Sequence, residues 1–283
     1  MAVPTRVDLP EAVLAVCDAH VRLLDERLPG LLDALHLHGS LGFGGEFHGG
    51  SDVDFVAVVG RRPTESDCEV LRRVHADIDK QWPQPAYDGF YCVAGDLAGS
   101  PDVVPDVPGV LHGWFHVGAH ADVTHITWRE LRDHGITVHG DGLGDGLGET
   151  TVWSGDEALH RSTRDNLDTY WRAQLEAMEH HPREASLPQA AEWGALGAPR
   201  LVHLLATGVP TSKSGAGRWA LDAYPHHREI LEEALRVRER PEGPSTYAAE
   251  PDRRRRDLVA LVREVIADGV ALPWPPLGRV PAS

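Results

Sequence analysis

Cysteine is scarce in this 283-residue chain, which has only Cys17, Cys68 and Cys92. Three widely spaced cysteines make neither a disulfide framework nor a CxxC zinc clip, so an apolar core must hold the fold. Basic charge is short as well: 27 lysines and arginines face 43 aspartates and glutamates, a formal net charge of −16. That balance argues against nucleic acid as the main partner, because phosphate backbones are held by a basic face. A small cationic substrate suits such a field better. No apolar run approaches the ~18 residues of a membrane helix, and the opening Met-Ala-Val-Pro-Thr-Arg lacks the basic-then-apolar pattern of an export signal. The expectation is a cytoplasmic monomer with no membrane partner and its thiols reduced in the core.

What is present is organised around residues 35–59. A Gly39-Ser40 pair is followed by a glycine-rich turn, and then Asp52 and Asp54 head the apolar run to Val59. Residues two apart in a strand face the same way, so these carboxylates are presented together. Val, Phe and Ala around them offer nothing to offset their repulsion, which points to a divalent cation.

The first half alternates short helices and strands. Residues 10–28 have helical spacing and stop at Pro29-Gly30, 34–38 is a short strand, and 52–59 is a buried one. Thr64 caps a helix to Lys80, with Asp67 completing a capping box. Residues 86–94 form a third strand whose single charge, Asp88, requires a partner in apolar surroundings. Gly95 to about Asp122, rich in Pro, Gly and His, is expected to be irregular. A short helix over 127–134 and a strand over 136–139 follow. The run Gly140–Gly148 reads as the domain boundary. Beyond it the spacing predicts helices near 155–180, 188–207, 213–223, 227–238 and 251–268. The expected fold class is α+β: a domain 1–148 with a mixed sheet and flanking helices, then an all-α bundle 149–283 with a Pro-rich tail. Arg253–Arg256 is expected to be a solvated face. His112, His116 and His120 are given structural or loop roles rather than zinc, since Gly113 and Gly118 interrupt any one-faced helix. His36 and His38 are taken as strand residues rather than ligands.

Gly39-Ser40, then Ser51-Asp52-Val53-Asp54, then a lone strand acid about thirty residues on resembles the nucleotidyltransferase superfamily typified by DNA polymerase β. The segment Arg200–Leu221, with its Thr207-Gly208 turn, Lys213 and Trp219-Ala220, is similar to the helical domain of streptomycin/spectinomycin 3''-adenylyltransferases, and Thr127–Gly140 also looks like that family. The resemblance implies transfer of AMP from ATP to a hydroxyl of a small cationic antibiotic. It assigns Asp52, Asp54 and Asp88 to magnesium and to catalysis, with Asp88 as base or only as metal ligand. Gly39, Ser40 and Ser51 fall to the nucleotide phosphates, and Lys213 to the triphosphate. Trp114 is the tryptophan available for stacking on the acceptor. The family's antibiotic-contacting aspartate has Ala190 in its place, with Glu192 the nearest acid; Asp165 and Asp168 are further acidic candidates. Asp88 stands where the family has glutamate, one methylene longer. These departures leave two alternatives open: the same transfer to another metabolite or a protein, or a non-catalytic nucleotide-binding regulator.

Overall fold

The seven residues Val53–Val59 form a strand with every side chain but one buried, because its alternate residues serve two cores. The computed structural model describes residues 5–44, 47–49, 51–119 and 122–274, and the chain divides into two compact units, Met1–Gly155 and Asp156–Ser283. In the first, helix α1 (Glu11–Arg27) leads into β1 (Leu32–His38), β2 (Val53–Val59), α2 (Glu65–Gln81) and β3 (Tyr87–Cys92). A short helix α3 (Ala94–Leu97) follows, then β4 (Val107–Leu111), β5 (Trp114–Ala119), α4 (His125–His134) and β6 (Ile136–His139). The six strands form one sheet in the order β5-β4-β3-β2-β1-β6. The β2–β3 pair is parallel, with α2 as the crossover, and the other pairs are antiparallel.

Leu35, Leu37, Phe55, Ala57, Tyr87 and Tyr91 pack with Val13, Val16, Leu24, Leu71, Val74 and Ile78 of α1 and α2. The opposite parity, Ala34, Val56, Val58, Phe90 and Cys92, packs with Trp128 and Leu131 of α4, and Trp128 stacks on Phe90 at 6.0 Å between ring centroids. A sheet covered on both faces explains why β2 shows no polar alternation. All three thiols are free and buried. The Thr64–Asp67 capping box forms as expected, and Asp67 is held on Arg61 besides. After the glycine-rich connector, Val152 is buried in the first unit and the Trp153 amide donates to the Leu97 carbonyl at 2.7 Å, so the chain leaves that unit only after Gly155.

Two expectations are corrected. The stretch expected to be irregular holds α3 and the β4–β5 hairpin in its described residues up to 119. Pro108 and Gly109 hide β4 from pattern reading, yet Gly109 is there because a Cβ would stand 2.7 Å from the Gly89 carbonyl oxygen. The second correction concerns Arg253–Arg256 in the helical unit. That unit runs α5 (Asp156–Asn166), a π-turn (Leu167–Trp171), α6 (Arg172–His180), α7 (Pro182–Ala185), α8 (Pro188–Thr207), α9 (Lys213–Ala223), α10 (Arg228–Glu239) and α11 (Pro251–Ala271). Arg254 on α11 is buried, 3.2 Å from the buried Glu233 of α10, and donates to the Ser186 carbonyl. Arg236 and Ser245 also hold Glu233, which keeps its carboxyl below the usual range although burial opposes this. Arg253 lies over the Tyr247 ring. Of the four, Arg256 alone is exposed, so only part of the run is a solvated face.

A polar chain lies inside the first core. His20 pairs Nδ1 with the Tyr87 hydroxyl at 2.8 Å and Nε2 with the Tyr91 hydroxyl at 2.6 Å, and His75 Nε2 meets the same Tyr91 hydroxyl at 2.7 Å. Burial pushes His75 down to about 3 and His20 well below its usual value, the latter with help from His75. The unfolded chain therefore takes up protons below ~6.5 while the folded chain does not. Stability from this source is full above that pH and is lost on acidification toward 3, at up to ~1.4 kcal/mol per pH unit for each histidine. Urea midpoints between pH 6 and 4 should fall less steeply in His75→Phe; an unchanged slope refutes the assignment. For the buried pair, Arg254→Ala should destabilise by about 3–5 kcal/mol and Arg256→Ala by less than about 0.5, read by chemical denaturation. Equal effects would show that Glu233 does not depend on Arg254.

Candidate functional site

Three neighbouring strands present a row of ionisable residues. His38, the last residue of β1, lies opposite Asp54 of β2, and Asp54 is in register with Asp88 of β3. Directly paired residues share a face, and this is the face of Phe90 and Trp128 rather than that of α1 and α2. Asp52 is exposed just before β2 begins, while Asp54 is half-buried and Asp88 buried.

The backbone after β1 is shaped around Asp54. Gly39 has φ 63° and opens a 3-10 turn, Gly39–Phe43. A Cβ on Gly39 would collide with Asp54 Oδ2, so only glycine allows both the left-handed backbone and that close approach. Ser40 Oγ is buried next to it with no hydrogen-bond partner among the described residues, an arrangement that a ligand oxygen would complete. Ser51 stabilises the entry to β2: its hydroxyl accepts from the His48 amide at 3.1 Å, and its own amide donates to the His48 carbonyl at 2.9 Å.

Asp88 has found the partners that its surroundings demand. The amides of His112 and Gly113 donate to Oδ2 at 2.8 Å and Oδ1 at 3.2 Å. These two residues are the tip of the β4–β5 hairpin, with φ 52° and 75°, the pair of positive values that a two-residue hairpin turn needs. Among the described residues, each carboxylate oxygen accepts one of these amides and keeps a lone pair besides. Trp114, next in sequence, is 75% exposed beside that tip. His116 lies on β5, and His120 lies outside the described residues.

The site contains more acid than the sequence pattern singled out. Glu130 of α4 is buried with Oε2 3.4 Å from His38 Nδ1. Burial opposes a charge on His38, but Glu130, Asp54 and Asp122 together raise its pKa. Burial pushes Asp54 up to about 7; His38 opposes this, while Asp52, Glu130 and Asp122 add to it. Asp122 is raised by burial and by Asp88 and Asp52, against His38 and His112. Sequence signals existed for two of these residues: Glu130 falls between Trp128 and Leu131 on the apolar side of a helix, and His38 closes a strand directly before the Gly39-Ser40 pair. Asp122 had none.

The donor set suits magnesium. Asp52, Asp54 and Asp88 offer only oxygen, the ligand type for a hard cation, and burial with like charges pushes Asp54 upward, a cost that a bound cation would offset. Their oxygens do not all come within 4.8 Å of one another, as repelling carboxylates would not without an ion between them.

The second unit supplies the remaining candidates. Lys213 is half-buried at the first position of α9, whose N-cap Ser212 accepts from the Gly215 amide at 2.9 Å. Glu192 on α8 is already ion-paired with Arg238 on α10 at 3.0 Å. Asp168 pairs with Arg172, and Asp165 is exposed.

The architecture is α+β, a mixed sheet with flanking helices followed by a helical unit. No family model matches the sequence, and no curated protein matches it. A solved structure that does match in fold is spectinomycin adenyltransferase AAD(9) from Enterococcus faecialis with ATP and spectinomycin. The TM-score is 0.63 at 16% identity, over 88% of this chain and 98% of that one. At this identity the likeness is one of fold.

The glycine geometry yields a paired test. Gly113→Ala meets no atom within 4 Å and should cost only its left-handed backbone, about 1 kcal/mol. Gly39→Ala bears the same backbone cost and also drives Asp54 aside, so it should destabilise by at least about 1 kcal/mol more. Thermal unfolding of the two variants should separate them; equal losses would mean that Asp54 is not packed against Gly39.

Proposed function

We propose that this chain is a magnesium-dependent nucleotidyltransferase that moves AMP from ATP to a hydroxyl of a small cationic molecule, with streptomycin- or spectinomycin-type antibiotics as first candidates. The observation that carries this reading is the registered pair Asp54 and Asp88, with Asp52 at the strand entry and the Gly39-Ser40 turn against Asp54. The fold shared with an adenyltransferase that binds ATP and spectinomycin supports it.

On this reading Asp52, Asp54 and Asp88 would hold magnesium, whose charge would offset that developing on the phosphoryl oxygens. The Gly39 backbone, the Ser40 hydroxyl and Ser51 bind phosphate oxygens, and Lys213 adds a positive charge for the triphosphate. A lone pair of Asp88 takes the acceptor's hydroxyl proton. The acceptor oxygen then bonds to the α-phosphorus, the bond to the bridging oxygen breaks, and pyrophosphate leaves. The His112 and Gly113 amides fix the Asp88 carboxylate, which sets where a shorter acid can reach. Trp114 offers an exposed ring face on which a sugar can stack.

The acceptor class has a second reading, favoured by one observation: Glu192 and Asp168 already pair with Arg238 and Arg172. An acidic wall built from these residues would have to break those pairs, so another metabolite or a protein side chain is the alternative target. Pyrophosphate release should depend on ATP, Mg²⁺ and either streptomycin or spectinomycin, and Asp52→Asn should lower it by roughly 10³-fold or more. No release with either drug, together with label from ATP appearing on protein in a lysate, selects the alternative acceptor. ATP binding without turnover, the same in Asp52→Asn, refutes the enzymatic reading.

A further inference from the structure

The proposed transfer uses none of the histidines of the second unit, and two of them are arranged in a way that solvation alone does not require. His226 and His227 end the 3-10 turn Pro225–His227 that leads into α10. Their Nε2 atoms converge on one oxygen, Glu264 Oε2 of α11, at 2.9 and 3.0 Å. The rings are 4.4 Å apart between centroids, tilted by 47°. Consecutive side chains of a regular helix diverge; here the tight turn and the change of helix at Arg228 aim two neighbours at one point. One donor atom from each residue lies within 4.8 Å of the other two, the only such trio of His, Cys, Asp and Glu among the described residues.

Two imidazole nitrogens and one carboxylate oxygen form a donor set for a borderline transition ion, whereas Mg²⁺ and Ca²⁺ favour oxygen alone. We propose that His226, His227 and Glu264 form a zinc-class metal site with three protein ligands and a coordination position open to water. Zinc would take the place of the two N–H···O contacts at bonds of about 2.0–2.2 Å, which requires each ring to carry its proton on Nδ1. The His226 side chain is 57% exposed and gives an ion access, while His227 at 12% forms the sheltered side. Because the ligands come from two segments well separated in sequence, the ion would tie the start of α10 to α11 and stabilise the folded unit in proportion to its occupancy.

The test uses the full chain, untagged and stripped of metal, in excess Mg²⁺ to occupy oxygen-only sites. Co²⁺ serves as the spectroscopic probe and Zn²⁺ as the competitor, with thermal unfolding read alongside. Wild type and Asp52→Asn should both bind a single Co²⁺, develop the visible absorption of a low-coordinate cobalt with nitrogen ligands, lose it to Zn²⁺, and melt higher with Zn²⁺. His226→Ala and Glu264→Gln should bind at least about tenfold more weakly and lose the thermal shift; unchanged melting of the metal-free Glu264→Gln protein shows that its fold is intact. Absence of binding by wild type, or equal binding in both variants, overturns the site. Loss of binding in Asp52→Asn overturns it too, by assigning the ion to the carboxylates of β2 and β3. None of these readouts depends on nucleotidyl transfer.

Discussion

The parallel pairing of β2 with β3 puts Asp54 and Asp88 in register on one face of the sheet, so the first unit must accommodate acids on adjacent strands. Neighbouring strands lie about 4.8 Å apart, so two registered acids on one face destabilise the sheet unless each is engaged. Asp88 is engaged by the amides at the β4–β5 tip. Asp54 has His38 across the antiparallel pair, and His38 is backed by Glu130. The accommodation comes from two separate elements, a hairpin at Asp88 and a strand end at Asp54, while Glu130 of α4 holds His38 and itself adds to the negative charge around Asp54.

Such tolerance needs a rigid frame. Both sheet faces are packed, one by α1 and α2 and the other by α4, so the strands cannot slide to separate the acids; a slip of one residue would send Asp54 and Asp88 into the α1–α2 core. Gly39 then decides how near the backbone comes. With Cβ absent, Asp54 lies against the turn, and the Ser40 hydroxyl is left buried beside it without a protein partner among the described residues. An unsatisfied hydroxyl next to crowded carboxylates is unfavourable in isolation. It is intelligible where a ligand brings both oxygen acceptors and a cation.

The helical half was legible in the sequence because its period is long and its stops are explicit: α8 and α9 begin and end at Pro188, Thr207, Lys213 and Ala223, where proline, glycine and a serine cap announce them. Asp52, Asp54 and Asp88 were legible because acids at the head of apolar strands are rare. The hairpin was not, since its turn is His112-Gly113 rather than Asn-Gly and its first strand carries Pro108. The burial of Arg254 was also hidden, because a run of four arginines looks alike from outside; only the position of Glu233 on another helix selects the second of them. Asp122 belongs to the same class of miss, a residue whose role is set by distant neighbours and not by local pattern, whereas Glu130 had a local signal in its place between Trp128 and Leu131 of α4.

One turn links two parts of the proposed chemistry. The His112 and Gly113 amides hold both oxygens of Asp88, and the next residue, Trp114, exposes its ring from the same tip. A two-residue turn of this kind has little freedom, since both central residues occupy a narrow left-handed region. A molecule stacking on Trp114 therefore meets an element whose backbone is hydrogen-bonded to the candidate base. Acceptor fit and base position are in that case mechanically coupled, so a change of acceptor preference could arise at the hairpin tip without any change in the carboxylates.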